Sequence, residues 1–229
     1  MSTEANTLTR TVPLRGARGM IADKMVASLT TAAQLTHHAR ADVSALLQAK
    51  AALAEVEIKV SVEDLLMAAL VRVLKRHPDM NGVVREREIV LSETIDLCVA
   101  IALPGNLLAA PAIFGACGKT LPELRAARQD LAARAKVNKL SVHEMTGGTF
   151  TISNLGLTRV EHFSPILNAP QIGILGVGSI VQTAVPSDDG VVFRPMTGLS
   201  LTFDHRAVDG APAADFLTDL CTEIEDFAS

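Results

Sequence analysis

A histidine at position 205 is the first candidate for chemistry, because charged residues surround it at short spacing. Asp204 and Arg206 flank it, and Asp209 follows four residues later. Imidazole has an ordinary pKa near neutrality, so a histidine beside charged groups can take up and release a proton at physiological pH. An ordinary turn with a charged cluster at the end of a strand has the same pattern, and the residues alone leave both interpretations open.

A serine at position 153 is the second candidate, because it ends a run with the alternation of a strand. Polar and apolar residues alternate over 149–152, and Asn154 and Gly156 follow the serine as turn formers. A hydroxyl at this point could donate a hydrogen bond to a developing oxyanion. A plain turn serine explains the pattern equally well.

The other histidines and the cysteines form no pattern that assigns them a role. No two cysteines form a Cys-x-x-Cys pair, which favours free structural thiols in a reducing compartment over disulfides or a redox site. No set of His, Cys and carboxylate residues has metal-ligand spacing, so no metal site is predicted. The residues concerned are Cys98, Cys117, Cys221, His37, His38, His77, His143 and His162.

Apolar periodicity and capping residues predict the elements that would position these side chains. We expect a first helix at 17–33 with an apolar stripe of Ile21, Met25, Leu29 and Ala32, a helix that Asp42 caps, and a final helix that Pro212 starts. Other helices are predicted from Ser61 to about 76, from Thr120 to about 137 and after Ser141. Strands are predicted over 35–42, 87–91, 95–103, 107–113, 148–153, 172–180 and 191–204.

This order of elements predicts an α+β fold, with a mixed, mostly antiparallel sheet covered by helices, because strands and helices do not alternate strictly. The 229 residues are 48% hydrophobic and 20% charged, which is enough for a well-buried core. We expect a flexible lead-in over 1–12 and one domain over 13–229.

Composition and charge also indicate where the protein works. The net charge is −4, and no basic run suggests nucleic acid. There is no apolar signal region near the start and no apolar stretch of about 20 residues that would span a membrane. We therefore expect a soluble, cytoplasmic protein.

Two long segments resemble signatures of the catalytic domain of the dihydrolipoamide acyltransferase (E2) family of 2-oxo acid dehydrogenase complexes. The segment 203–210 is similar to the family's Asp-His-Arg-x-x-Asp-Gly signature, and 147–156 is similar to its second signature. Shorter likenesses occur at 13–22, 77–81, 163–170 and 174–178. The resemblance implies a fold like that of chloramphenicol acetyltransferase and acyl transfer between a dihydrolipoyl thiol and coenzyme A.

The resemblance also implies roles for particular residues. His205 would be the general base that takes the proton of the acceptor thiol, and Ser153 would stabilise the oxyanion. Asp209 would help to hold the active-site loop. Arg18 is a candidate contact of coenzyme A or partner of Asp209, although an ordinary surface arginine is the simpler interpretation.

Assembly is a further implication of the resemblance. Such catalytic domains form homotrimers in which neighbouring chains share each active site, so His205 and Ser153 would come from different chains. No lipoyl-lysine motif is found, so either this stretch is part of a longer chain or a lipoyl carrier on another polypeptide serves it, and we expect the second, with E1 and E3 components as further partners. The sequence ends at Ser229, where an apolar tail would begin, which predicts isolated trimers. Residues 106–112 depart from the usual pattern of the acyl pocket.

Two alternative functions stay open at this point. A chloramphenicol-type acetyltransferase would use the same His-x-x-x-Asp-Gly spacing with a small-molecule acceptor. A non-enzymatic scaffold would only assemble other subunits, although it would not need both His205 and Ser153.

Overall fold

The computed structural model describes residues 11–105, 107–188 and 190–228. These residues form six helices, namely α1 Gly16–Thr31, α2 Ser44–Glu55, α3 Val62–Arg76, α4 Leu121–Lys136, α5 Val142–Thr146 and α6 Gly210–Glu225. The strands are β1 Gln34–Asp42, β2 Gly82–Arg85, β3 Glu88–Leu91, β4 Leu97–Val99, β5 Ile101–Leu103, β6 Leu107–Ala109, β7 Ala112–Ile113, β8 Phe150–Asn154, β9 Gly173–Ser187 and β10 Gly190–Asp204.

A six-stranded mixed sheet is the centre of the fold. Its strand order is β1-β10-β9-β8-β4-β7, and β2-β3 and β5-β6 form two separate hairpins. The pairs β1/β10, β10/β9 and β4/β7 are antiparallel, whereas β9/β8 and β8/β4 are parallel. The predicted α+β class with a mostly antiparallel mixed sheet is therefore confirmed.

One face of the sheet carries the hydrophobic core. Alternate residues of β10, Leu199, Leu201 and Phe203, are completely buried, because every second side chain of a strand points to the same face. Helix α6 packs against β1 and α3, and its predicted stripe is buried. That stripe consists of Phe216, Leu220, Ile224 and Phe227.

The opposite face of the sheet is polar and lies under a segment that we call the strap, residues 155–171. Glycines let the strap approach the strands closely. A Cβ atom at Gly178 would lie 1.8 Å from the carbonyl oxygen of Glu161, and one at Gly198 would lie 2.0 Å from the same oxygen. Helix α1 borders the strap, where the Ser28 hydroxyl donates to the carbonyl of Leu167 at 2.7 Å.

Three helix predictions were wrong in detail. In α1 the buried position is Ser28, and Leu29 is 55% exposed, because this helix lies against the strap and not against the apolar core. Val43 and not Asp42 is the N-cap residue of α2, because Asp42 still pairs with Met196 as part of β1, although the Asp42 carboxylate accepts the backbone N–H of Ser44 at 2.8 Å. Helix α6 begins at Gly210, two residues before Pro212.

Each predicted strand lies where a strand is observed, but the bounds of several differ and one observed strand was not predicted. Strand β2 was not predicted, and the predicted strands 95–103 and 107–113 are each divided in two. Strand β9 runs seven residues further than its predicted end at 180, because it continues as a two-stranded arm with β10. The capping boxes of α3, α4 and α5 are present as predicted.

The predicted lead-in 1–12 lies almost entirely outside the described residues. At the other end, the Arg72 guanidinium lies 4.8 Å from the ring centre of Phe227 and donates to the carbonyl of Ala228. Among the described helices, none has the length and apolar character needed to cross a membrane.

Candidate active site

His205 is the first residue after β10, at the end of the sheet that lies near the start of α6. Its backbone N–H donates to the carbonyl of Ala33 at 2.8 Å, which ties it to the start of β1. The imidazole is 42% exposed and lies against the ring of Phe203, with 5.8 Å between the ring centres. The histidine is therefore fixed through its backbone and presents an accessible ring.

Asp209 faces this imidazole from the cap position of α6. Its Oδ1 atom lies 3.6 Å from Nδ1 of His205, which is too long for a hydrogen bond but close for two charges. The carboxylate is 86% exposed and can move. Because Asp209 approaches Nδ1, the Nε2 atom of His205 is left for an external proton donor.

An ion pair that the sequence analysis did not assign lies directly beside His205. Asp204 is 2% exposed, and the Arg206 guanidinium donates to both of its oxygens, with Nε at 2.9 and 3.1 Å. The backbone N–H groups of Arg206 and Ala33 donate to the same carboxylate at 3.1 and 3.3 Å. Burial acts to raise the pKa of Asp204, but the Arg206 hydrogen bonds outweigh it and keep this pKa below its ordinary value.

Ser153 lies near the end of β8, level with Gly176 of β9 and therefore with Ser200 of β10. It is half-buried, and its side chain points to the polar face, opposite to Ile152 in the core. Its strand neighbours Thr151 and Asn154 use their side chains in hydrogen bonds within the chain. In the described part of the chain, no such bond engages the Ser153 hydroxyl, so it is free to meet a ligand.

Ser153 and His205 do not meet within one chain. His205 follows β10 five residues beyond Ser200, and β8 lies two strands away from β10. With about 3.3 Å per residue and about 4.8 Å between strands, the two Cα atoms are about 20 Å apart. Their side chains also point to opposite faces of the sheet, since His205 stays in phase with Phe203. A site that uses both residues needs two copies of the chain.

A cavity of about 370 Å³ opens at the end of β8 just beyond Ser153, between the helices α2, α3 and α4, the strap and the strands β9 and β10. Lys50 and Arg128 give it a basic side, although Arg128 is bound to Glu63 at 3.0 Å and to the buried Asp64 at 2.8 Å. The walls are otherwise mostly apolar or backbone. They include Val43, Val62, Leu66, Asn154, Gly156, Leu157, Val177, Gly178 and Ile180.

Arg18 is not close to the other predicted site residues. It lies in the first turn of α1, and Ala33, which contacts His205, follows 15 residues later. A helix rises about 1.5 Å per residue, so about 20 Å separate the two. The suggested pairing with Asp209 is therefore not formed within one chain. The Nη2 atom of Arg18 is buried and has no hydrogen-bond partner among the described residues.

Three histidines without an assigned role form contacts within the fold. The ring of His37 packs edge-on against Phe203, with ring centres 5.0 Å apart. His38 shares a 2.9 Å hydrogen bond with the Ser200 hydroxyl, and its ring lies 5.5 Å from that of His162. Partial burial and the neighbouring charges of His38 and Arg40 lower the pKa of His162. None of these rings forms a hydrogen bond with Ser153 in the described structure.

Comparison with known sequences identifies relatives of the whole chain. A sequence model of the family described as 2-oxoacid dehydrogenases acyltransferase (catalytic domain) matches residues 6–229. The dihydrolipoyllysine-residue acetyltransferase component of the acetoin cleaving system of Bacillus subtilis is 37% identical over 223 residues, covering 95% of this chain and 56% of the relative. The chain thus spans about half the length of the curated relatives it matches.

Solved structures agree in fold over nearly the full chain. A probable dihydrolipoamide acetyltransferase from Listeria monocytogenes superposes with a TM-score of 0.90 at 30% identity, covering 97% of both chains. The dihydrolipoamide acetyltransferase of Azotobacter vinelandii gives 0.89 at 28% identity, covering 99% of this chain and 97% of that one. A chloramphenicol acetyltransferase gives 0.55 at 14% identity, covering 90% and 94%, which is a likeness of fold alone.

The Azotobacter structure belongs to a study of a serine, a histidine and an asparagine in the catalytic mechanism of that enzyme. By their numbers in that protein, the serine precedes the histidine by 52 residues and the asparagine follows the histidine by four. Ser153, His205 and Asp209 have the same two spacings, with an aspartate in the last position.

Proposed function

The chain belongs to the family of 2-oxoacid dehydrogenase acyltransferase catalytic domains, and on this premise we propose that it transfers an acyl group between a dihydrolipoyl thiol and the thiol of coenzyme A. The observation that carries the proposal is that Ser153, His205 and Asp209 repeat the spacing of the serine, histidine and asparagine of the Azotobacter relative. We take residues 13–229 as the catalytic domain.

His205 acts as the general base in this proposal. A free thiol has a pKa of about 8.5, so little of it is thiolate at neutral pH, and an imidazole that accepts its proton supplies the nucleophile. The Nε2 atom receives the proton while the thiol sulfur attacks the thioester carbonyl. When the tetrahedral intermediate collapses, the C–S bond to the leaving thiol breaks and that sulfur takes the proton back from Nε2.

Ser153 stabilises the tetrahedral intermediate. The carbonyl oxygen becomes an oxyanion when the sulfur attacks, and the Ser153 hydroxyl donates a hydrogen bond to it. A donor that is fixed in place before the reaction is worth about 2.7–4 kcal/mol to the transition state. The half-buried position at the end of β8 supports this role, because a strand holds the hydroxyl and partly shields it from water.

Asp209 supports the charge that His205 acquires. The imidazole becomes an imidazolium while it holds the thiol proton, and a carboxylate 3.6 Å from Nδ1 favours that state. An asparagine in this position could hold the ring but would not offer the negative charge. Because Asp209 is largely exposed, water screens its attraction for the imidazolium, and this attraction reaches full strength only where a neighbouring molecule excludes the water.

The active site in this proposal is formed between two protomers of a homotrimer. His205 and Asp209 of one protomer then lie opposite Ser153 of its partner, which accounts for their separation of about 20 Å within one chain. Exposed apolar side chains support such contacts, because large apolar surface rarely stays open to water. They include Met20, Val26 and Leu29 on α1 and Val191 and Phe193 on the β9-β10 arm.

The cavity beyond Ser153 is the candidate site for coenzyme A. Its apolar walls suit the pantetheine arm, and Lys50 offers a cation for a phosphate. Arg18 stays a prediction as a coenzyme A contact, and Lys50 has the stronger structural support.

We propose that a lipoyl carrier domain delivers the second thiol, with E1 and E3 components as further partners. We also propose that the protein acts in the cytoplasm without a metal.

A complementation experiment tests the shared site and the chemistry together. The single variants His205→Ala and Ser153→Ala are co-expressed with different tags, and mixed trimers of about 73 kDa, three times 24.2 kDa, are purified. Each mixed trimer keeps one intact site in three, so the purified mixed trimers should show about one third of wild-type activity. Activity no higher than that of the separate variants would contradict the shared site.

The acceptor is tested in the same assay. Wild-type protein is given acetyl, propionyl, isobutyryl or succinyl coenzyme A, with dihydrolipoamide or chloramphenicol as acceptor. We expect transfer to dihydrolipoamide. Transfer to chloramphenicol alone would favour the small-molecule acetyltransferase, and no transfer to either would favour a scaffold.

A further inference from the structure

We infer that Asp204 and Arg206 are positioning residues for His205, because their ion pair closes the turn that carries the imidazole. The inference rests on the proposed function only in so far as His205 is the base. The ion pair holds the imidazole ring in place, which the contacts of the ring itself and of Asp209 do not do.

The side chain of His205 has few contacts that could orient it. It is 42% exposed, and the carboxylate of Asp209 lies 3.6 Å away and is itself 86% exposed. The ring of Phe203 supports it from one side only, with 5.8 Å between the ring centres. The position of the imidazole therefore depends on the backbone of residue 205.

The ion pair fixes this backbone on both sides. The carboxylate of Asp204 accepts the backbone N–H of Arg206 at 3.1 Å and its side-chain Nε at 2.9 Å, so the residues before and after His205 are tied together. Ala33 connects this turn to β1. It donates its N–H to Asp204 at 3.3 Å and accepts the N–H of His205 at 2.8 Å.

A guanidinium suits this task better than an ammonium. Arg206 donates to both oxygens of Asp204 through Nε and Nη2, and this planar fork fixes direction as well as charge. Asp204 is 2% exposed, so without Arg206 a charged carboxylate would stay buried with backbone donors alone. A displacement of the base by about 1 Å can reduce the rate about 100-fold.

The decisive variant is Arg206→Ala, with Arg206→Lys and Asp204→Asn beside it. We expect Arg206→Ala to lower kcat by about 10- to 100-fold, with KM for acyl coenzyme A and dihydrolipoamide changed less than about twofold. The kcat of Arg206→Lys should lie between those of wild type and Arg206→Ala, because lysine keeps the positive charge but lacks the planar guanidinium that donates to both carboxylate oxygens. Arg76→Ala is the matched control, since Arg76 is 48% exposed and pairs with Glu223 away from the turn.

Amide hydrogen exchange gives a readout that does not depend on activity. The N–H of His205 should exchange faster in Arg206→Ala than in wild type and should stay unchanged in Arg76→Ala. A cavity of about 280 Å³ borders both Asp204 and Arg206. Millimolar guanidinium should therefore enter the space left by the arginine and restore part of kcat.

The outcomes separate this inference from the proposed function. Wild-type protein without acyl transfer would refute the function, while the exchange result would still decide whether the ion pair holds the turn. Active Arg206→Ala with wild-type kcat, or a lower kcat without faster exchange at His205, would overturn the inference. If Arg206→Ala does not fold, Asp204→Asn carries the same test, because its amide still accepts the two backbone N–H groups.

Discussion

His205 and Ser153 are held by different kinds of contact at opposite ends of the same sheet. At the His205 end, a buried carboxylate and a guanidinium close a turn, and the functional ring is left accessible. At the Ser153 end, no charged group forms a hydrogen bond with the serine in the described structure, and the strand is held between β4 and β9. The strap there lies directly on the glycines of β9 and β10.

This difference fits the roles that we propose for the two residues. A base must receive and release a proton, so its ring has to be reachable, and only its backbone can be fixed firmly. An oxyanion donor works best when it does not move during the reaction, which a hydrogen-bonded strand provides. The two ends should therefore fail in different ways when they are changed.

The largest effect is expected from His205→Ala. Removal of the base should lower kcat by about 10²–10⁴-fold, while thermal unfolding stays close to that of wild type because the ring is 42% exposed. Steady-state kinetics with acetyl coenzyme A and dihydrolipoamide measures this loss. His143→Ala is the control, and a His205→Ala protein within twofold of wild type would end the assignment of the base.

Ser153→Ala should come next, with a loss in kcat of about 10²–10³-fold. KM should hardly change, because the hydroxyl bonds the oxyanion of the transition state and not the ground-state thioester. Ser187→Ala, at the exposed end of β9, is the control. A normal kcat with a raised KM would make Ser153 a substrate-binding residue instead.

Gly178→Ala tests the close packing at the Ser153 end. The added Cβ atom would lie 1.8 Å from the carbonyl oxygen of Glu161, so the strap has to shift. We expect a loss of about 1–3 kcal/mol in the free energy of unfolding, measured by urea denaturation. In Gly118→Ala, where a Cβ atom meets no other atom within 4 Å, the change should stay within about 0.5 kcal/mol. Equal stabilities of the two variants would contradict the tight fit of the strap.

The sequence predicted most of the elements because their signals are local. The capping boxes that open α3, α4 and α5 satisfy helix N–H groups within four residues, and the alternation in β10 reflects burial on one face. The strap has no period, and its position depends on contacts between Glu161 and two glycines far along the chain. Such contacts cannot be predicted from spacing.

The candidate residues His205, Ser153 and Asp209 were also chosen from sequence, and the resemblance gave them roles. What the sequence could not indicate is that Asp204 is buried while Asp209 is 86% exposed, since both are aspartates beside the same histidine. It also could not locate the cavity beyond Ser153, whose walls come from α2, α3, α4, β8, β9, β10 and the strap. A burial difference of this kind needs the three-dimensional packing of β1 against β10.

The smallest effect that we predict is an acid sensitivity confined to the His205 end. Arg206 keeps the pKa of Asp204 below its ordinary value in the folded chain despite burial. A carboxylate with a lowered folded pKa contributes stability above its unfolded pKa of about 3.9, and this contribution is lost as the pH falls through the folded pKa. Wild type should therefore exceed Asp204→Asn in unfolding temperature by a constant few degrees above about pH 5, since each kcal/mol shifts a chain of this size by about 2–4 °C. The difference should shrink below about pH 3.9.

Asp64 and Asp42 also have lowered pKa values, but they titrate in both proteins and cancel in the difference. Scanning calorimetry of the two proteins between about pH 3 and 7 measures it, and a difference that grows on acidification would mean that the charge of Asp204 does not stabilise the turn.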